Sequence, residues 1–290
     1  MAARDREQGM ILVNVLMFVA IASGLVLLMI NREELALDRA LRTREVARAA
    51  AIVRGGELSA IAALTRDARD APEVDHGGEP WASIGAKGAP IAGGTFDLAV
   101  SDAEGRFNVN SLRSGEVAPV LLFQKIAASV GIDEGRAVEA IAYVRAQGPI
   151  SDVRPIRLIP GMDARALGRL ERMVTALPGN TAINLNAADR DLLAIVFDDP
   201  VVAERLIAIR KRNEQITLRD LSEQKVTQPP GTSFRSDTFW VHARATIGET
   251  SQEGATLIQR RRPRDGEPVV ALPVARWRNM AIPPEAPPLG

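Results

Sequence analysis

Cysteine is absent from this chain of 290 residues, which removes disulfides, thiolate metal sites and thiol nucleophiles together. Histidine is nearly absent. Only His76 and His242 occur, far apart, too few for a multi-histidine metal site or proton relay. Aromatic residues make up 4%, thin for a surface that stacks bases or sugars. No sign of charge dominates either: Lys+Arg and Asp+Glu both total 36, which disfavours a strongly basic nucleic-acid binder. The sequence also has no Gly-x-Ser-x-Gly, no phosphate-binding Gly loop ending in Lys-Ser/Thr and no zinc-type His pair. The carboxylate pairs Glu33-Glu34 and Asp198-Asp199 sit in exposed-looking contexts and carry no acid–base assignment. No enzyme is expected. What remains is ordinary globular composition, 46% hydrophobic and 25% charged, long enough for one large domain or two ordinary ones.

The strongest single feature is the apolar run of residues 10–30, interrupted only by Asn14, Ser23 and Gly24. As a helix it is about 30 Å long and spans a bilayer core. A cleaved secretion signal would use Ala20-Ile21-Ala22, but the apolar run continues to Ile30, which argues for a retained anchor. The junction Glu7-Gln8-Gly9-Met10 resembles the prepilin-type leader, in which a membrane peptidase cuts after Gly. That resemblance implies cleavage after Gly9, N-methylation of Met10 and retention of the helix. The fifth mature residue, normally Glu in that family, is Asn14 here. In the family the Glu is thought to pair with the N-terminal amine of the neighbouring subunit. A lone carboxylate in lipid costs about 3 kcal/mol or more, and a subunit with none ahead of it has no amine to meet. The tip subunit of the family characteristically lacks the Glu, and Asn14 fits that pattern. The Lys/Arg count does not orient the span: Arg4 and Arg6 precede it, while Arg32, Arg39, Arg42, Arg44 and Arg48 follow.

No Pro occurs before Pro72, so one long helix over residues 10–70 is expected, with Leu35, Leu41, Ala47, Val53, Leu58, Ile61 and Leu64 as a weak stripe. Gly55-Gly56 is its expected break. Residues 71–92 read as a polar loop anchored by Trp81. Phe96, Leu98 and Val100 alternate, Asp102 to Gly105 turns, and Phe107 and Val109 alternate on the return, which predicts a hairpin. Asp102 and Glu104 have the chemistry to touch calcium, but turns favour Asp and Gly without any ion. Residues 117–228 read as helices, with Asp133 and Asp163 as caps and Asn186-Ala187-Ala188-Asp189 resembling a capping box. Strands return over 239–247 and 255–260, and over 269–277 with Pro273 confining it to an edge. The tail, 283–290, reads as flexible and Pro-rich.

The order of these motifs resembles the K-type minor pseudopilins of the type II (general) secretion pathway over nearly the whole chain. It rests on the Gly9 leader, Asp75-His-Gly-Gly-Glu-Pro-Trp-Ala82, Glu104-Gly-Arg-Phe-Asn-Val-Asn110, Leu158-Ile-Pro-Gly-Met-Asp163, Val174-Thr-Ala-Leu-Pro178 and Ile183-Asn-Leu-Asn-Ala187. The resemblance implies an α+β fold. A leader (1–9) and a helix (10–70, transmembrane over 10–30) lead to a pilin-like antiparallel domain (71–116 and 229–282). An inserted all-α domain of SAM-like or helix-hairpin-helix-like kind (117–228) interrupts it. It implies a place at the pseudopilus tip, with I-, J- and H-type minor pseudopilins, the prepilin peptidase, the inner-membrane assembly platform and the lipid bilayer as partners, and the C-terminal body in the periplasm. Some family members bind calcium through an acidic loop. Here Tyr143 to Asp152 bridges that gap with a single carboxylate, and calcium wants six to eight oxygen ligands, so no metal and no cofactor are assigned.

Ile183 to Leu193 also resembles helix-hairpin-helix DNA-binding modules, including membrane-anchored competence receptors, with Arg205, Arg210, Lys211 and Arg212 nearby. Such modules bind phosphate through backbone N–H groups of a Gly hairpin at a helix N-terminus. The corresponding hairpin here is Phe197-Asp198-Asp199-Pro200, with two carboxylates and a residue without N–H. No nucleic acid is expected as a partner, and Arg210-Lys211-Arg212 is read as a solvated helix end.

Overall fold

The computed structural model describes residues 2–261 and 267–289, without the side chains of residues 2–12. Nothing in the first seventy residues forbids helix, and α1 runs unbroken over Ala2–Asp70, about 100 Å at 1.5 Å per residue. Gly55-Gly56 does not break it, contrary to the sequence expectation. A Cβ on Gly56 would stand 2.8 Å from the Phe96 ring, so this glycine is a notch that lets the helix lie close on the sheet. The buried stripe of its C-terminal part is Ala49, Ala60, Leu64 and Ala68, spaced by helical turns. Leu35, Leu41 and Leu58, assigned to that stripe from the sequence, are exposed.

The sheet has five antiparallel strands in the order β1-β2-β7-β8-β9. They are β1 (Ala86–Ile91), β2 (Gly94–Asp102), β7 (Thr238–Ile247), β8 (Thr250–Arg261) and β9 (Val270–Arg278). Strand alternation sends Phe239, Val241 and Ala243 of β7 into a core with Leu64, Trp81 and Leu98. Trp240 faces the other side, with Leu257 and Leu177. β9 is an edge strand, and Pro273 lies where its register against β8 shifts, between Leu257 and Ile258. An edge tolerates the missing N–H there.

Three expectations are corrected. β1 lies inside the stretch read as loop; its sequence, AKGAPI, has no apolar alternation to betray a strand. The expected hairpin from Phe96 to Val109 does not form. β2 pairs with β1 and β7, while Phe107 and Val109 are buried in the core of the insertion. The tail is not loose. Ile282 and Ala286 pack against the Trp240 cluster, and Glu285 is 4% exposed.

Between β2 and β7 the chain forms a helical block with its own core, including Phe123, Ile126, Val144, Leu170, Leu192 and Leu206. Its elements are β3 (Phe107–Asn108), α2 (Val117–Ser129), α3 (Glu134–Gln147), α4 (Ala164–Met173), β4 (Val174–Thr175), β5 (Ile183–Asn184), α5 (Arg190–Phe197), α6 (Pro200–Asn213), α7 (Leu218–Glu223) and β6 (Thr232–Ser233). It is not wholly helical: β3 pairs with β4 and β5 with β6, both parallel. Asp133, Asp163, Asp189 and Asp199 cap α3, α4, α5 and α6 with their carboxylates. The expected cap at Asn186 is therefore supplied by Asp189, and Asn186 has other work.

Candidate functional site

The described residues hold one helix long and apolar enough to cross a membrane; its best eighteen-residue window has a mean hydropathy of 2.6 and no residue buried against protein. Asn14 stands exposed on this segment. Gly9 and Met10 lie on the same helix, and their side chains fall outside the described part.

The remaining motifs converge on a polar joint between sheet and insertion. Its centre is Arg260 of β8. The guanidinium donates to Asp67 Oδ2 of α1 at 2.9 Å, to Asp75 Oδ1 and to the Ser236 carbonyl, and lies 4.6 Å from the Phe239 ring centroid. Asp75 Oδ2 accepts from Ser236 N (2.8 Å). Asn184 Nδ2 donates to the Asp75 carbonyl (3.0 Å) and to Asp102 Oδ2 (2.7 Å), and the Ser236 hydroxyl donates to the same Asp102 oxygen. Gly105 is required here: a Cβ on it would meet the Ala187 carbonyl oxygen at 2.8 Å.

Three carboxylates, Asp67, Asp75 and Glu79, come within 4.8 Å of one another. A cation already lies among them, the guanidinium of Arg260. Glu79 Oε2 is taken by His76 N and Trp81 Nε1. Burial, with the charges of Glu79 and Asp75, pushes Asp67 up to about 7. Burial likewise pushes Asp102 up to about 6 and Glu104 up to about 8. Asp102 is spent on the turn, accepting from Glu104 N at 2.7 Å. The Asp75–Trp81 stretch, read as a surface loop, thus has buried carboxylates that sequence position alone does not reveal.

The basic end of α6 is only partly solvated. Arg210 donates to the carbonyls of Leu185, Asn186 and Ala188. At the hairpin before α6, Asp199 Oδ1 accepts from Val201 N (2.7 Å) and Val202 N (3.2 Å). The first-turn amides that would hold a phosphate are occupied by the protein's own carboxylate.

No family model matches the chain. It is similar to the type II secretion system protein K of Pseudomonas aeruginosa, 28% identical over 89% of this chain and 90% of the relative. It also matches the proteins of the same name from Klebsiella pneumoniae, 25% identical over 85% and 88%, and Pectobacterium carotovorum, 24% over 88% and 93%. A chain in the crystal structure of the GspK-GspI-GspJ complex of the enterotoxigenic Escherichia coli type 2 secretion system has the same fold, with a TM-score of 0.64 at 20% identity over 83% of this chain and 99% of that one. The likeness read from the sequence motifs is thereby borne out: over nearly its whole length this chain is similar to type II secretion system K proteins.

Proposed function

We propose that the chain is the K-type subunit at the tip of a type II secretion pseudopilus, where it initiates assembly with I-, J- and H-type minor pseudopilins. The observation that carries this reading is the similarity to three K proteins over 85–89% of this chain. The solved chain of the same fold belongs to a GspK-GspI-GspJ complex, which makes I- and J-type subunits the first partners to test. Asn14 supports the terminal place. A neutral amide in lipid needs no amine from a subunit ahead, whereas a carboxylate does. The prepilin peptidase cuts after Gly9, Met10 becomes the methylated N-terminus, and the body stands in the periplasm on a single span. The role is assembly, not catalysis.

Two measurements test it. The chain co-expressed in membranes with the I- and J-type pseudopilins of its own organism purifies as a three-way complex; purification of a folded chain free of both refutes the partners. Mass analysis of the membrane-extracted chain gives a mature protein starting at methylated Met10, and Gly9→Val leaves the leader in place. An intact leader on the unaltered chain refutes the processing. A salt-dependent shift of duplex DNA, lost on neutralising Arg210, Lys211 and Arg212, would favour the competence-receptor reading instead.

A further inference from the structure

One residue of the Glu104–Asn110 motif has no structural task. Gly105 admits the Ala187 carbonyl, Phe107 and Val109 fill the core of the insertion, and Asn108 and Asn110 both donate to the Leu177 carbonyl. Arg106 instead lines a cleft of about 380 Å³ between sheet, insertion and tail. Among the described residues no hydrogen bond or ion pair holds its guanidinium. Burial pushes the group down from its ordinary value, and the charges of Glu285 and Asp189 act against that. A cation taken out of water without a hydrogen-bonded partner costs free energy.

The cleft is rich in donors. Arg172 lines it too and spends one donor on its own helix, at the Gly168 carbonyl, 3.2 Å away. Trp240 Nε1 and Thr175 Oγ1, on two further lining residues, are buried without an acceptor. The acids of the cleft are engaged elsewhere. Asp102 accepts from Glu104 N, Asn184 Nδ2 and the Ser236 hydroxyl. Asp189 caps α5 through Leu192 N at 2.7 Å, and Glu285 Oε1 accepts from Val153 N at 2.8 Å. Glu285 Oε2 is buried and unpaired. Burial pushes that carboxyl up from its ordinary value, and with its proton it is one more donor.

We propose that this cleft binds a carboxylate presented by a partner polypeptide, held by Arg106 and Arg172. A planar guanidinium takes both oxygens of a carboxylate in two parallel N–H···O bonds, and such a ligand supplies the acceptor that Arg106 lacks. Ala103, Ala187 and Pro287 line the same cleft and give the backbone that carries the carboxylate an apolar rest. This holds whether or not the tip role stands.

Saturation-transfer NMR from the full chain in detergent to small peptides tests the site. The probes are acetyl-Gly-Asp-Gly-amide, acetyl-Gly-Gly-Gly with a free carboxyl end, acetyl-Gly-Asn-Gly-amide and acetate. One or both acidic peptides bind at least about tenfold more tightly than the Asn peptide, and which of them does so tells a side chain from a chain end. Arg106→Gln removes the preference. Arg106→Lys keeps part of it, because an ammonium retains the charge without the fork. Arg172→Gln, on an exposed side chain of α4, weakens it severalfold and leaves the fold alone. No binding of either acidic peptide, equal binding of the Asn peptide, or an undiminished preference in Arg106→Gln overturns the site. Were Arg106→Gln to unfold, an undiminished preference in Arg172→Gln overturns it instead. Acetate binding as tightly as the acidic peptides overturns the polypeptide.

Discussion

The insertion contains the same device twice, wired differently. In the first unit Asn108 Oδ1 accepts from Asn110 N, and Asn110 grips Ile150 with its amide, accepting from Ile150 N (3.0 Å) and donating to Ile150 O (2.9 Å). In the second unit Asn184 Oδ1 accepts from Asn186 N, and Asn186 grips Ile216 in the same way, at 2.6 and 3.1 Å. Each begins on a two-residue strand in a parallel pair. The difference lies in the spare amide of the first Asn. Asn108 Nδ2 turns inward, to the carbonyls of Leu177 and Gly179. Asn184 Nδ2 turns outward, to Asp75 and Asp102. The first unit closes on itself; the second carries the joint to the sheet. An amide is suited to both because it donates and accepts in one plane, and every buried peptide group it meets must be paired.

The largest expected effect comes from cutting the joint itself. Arg260→Met leaves Asp67 and Asp75 buried beside each other without a cation, at a cost of about 3–5 kcal/mol. Chemical denaturation of the full chain checks it, with the whole transition moving. Next, Asn184→Ala orphans groups on both sides of the joint and costs about 3 kcal/mol, whereas Asn108→Ala costs about 2 and confines its effect to the insertion. Hydrogen exchange separates the two: Asn184→Ala speeds exchange in β7 and in the 71–82 segment, and Asn108→Ala speeds it around 174–180 while β7 keeps its protection. Equal spreading from both would erase the contrast between the units.

The smallest effect concerns pH. Glu104 and Asp67 have folded values above those of a free carboxyl, about 8 and about 7. Such groups stabilise the fold when protonated, and that stability is lost as pH rises from the free-carboxyl range through the folded value. The melting temperature therefore falls between about pH 5 and about pH 8. Glu104→Gln keeps the shape without the charge, so it melts higher than the parent at about pH 8 and its pH slope is shallower.

Much of this was legible in the chain itself. The apolar run, the absence of proline before Pro72, the strands over 239–247 and 255–260 and the caps Asp133 and Asp163 follow from local rules, and all four stand in the structure. The Asn repeat was visible too, as Phe-Asn-Val-Asn and Ile-Asn-Leu-Asn, though periodicity analysis has no template for it. Phe107 and Val109 were misread because alternation over three residues marks a buried strand in any layer, and it does not name the neighbour.

An anchored helix, an α+β body and a likeness to K-type subunits are legible in the chain alone, because hydrophobic length, turn chemistry and motif order are properties of neighbours along it. That Asp75 meets Arg260, 185 residues away, that Gly56 is a contact and not a break, and that the Pro287 carbonyl meets His242 emerged only with the folded arrangement. Those outcomes rest on burial and on which polar groups are brought together, and burial exists only once the layers have closed.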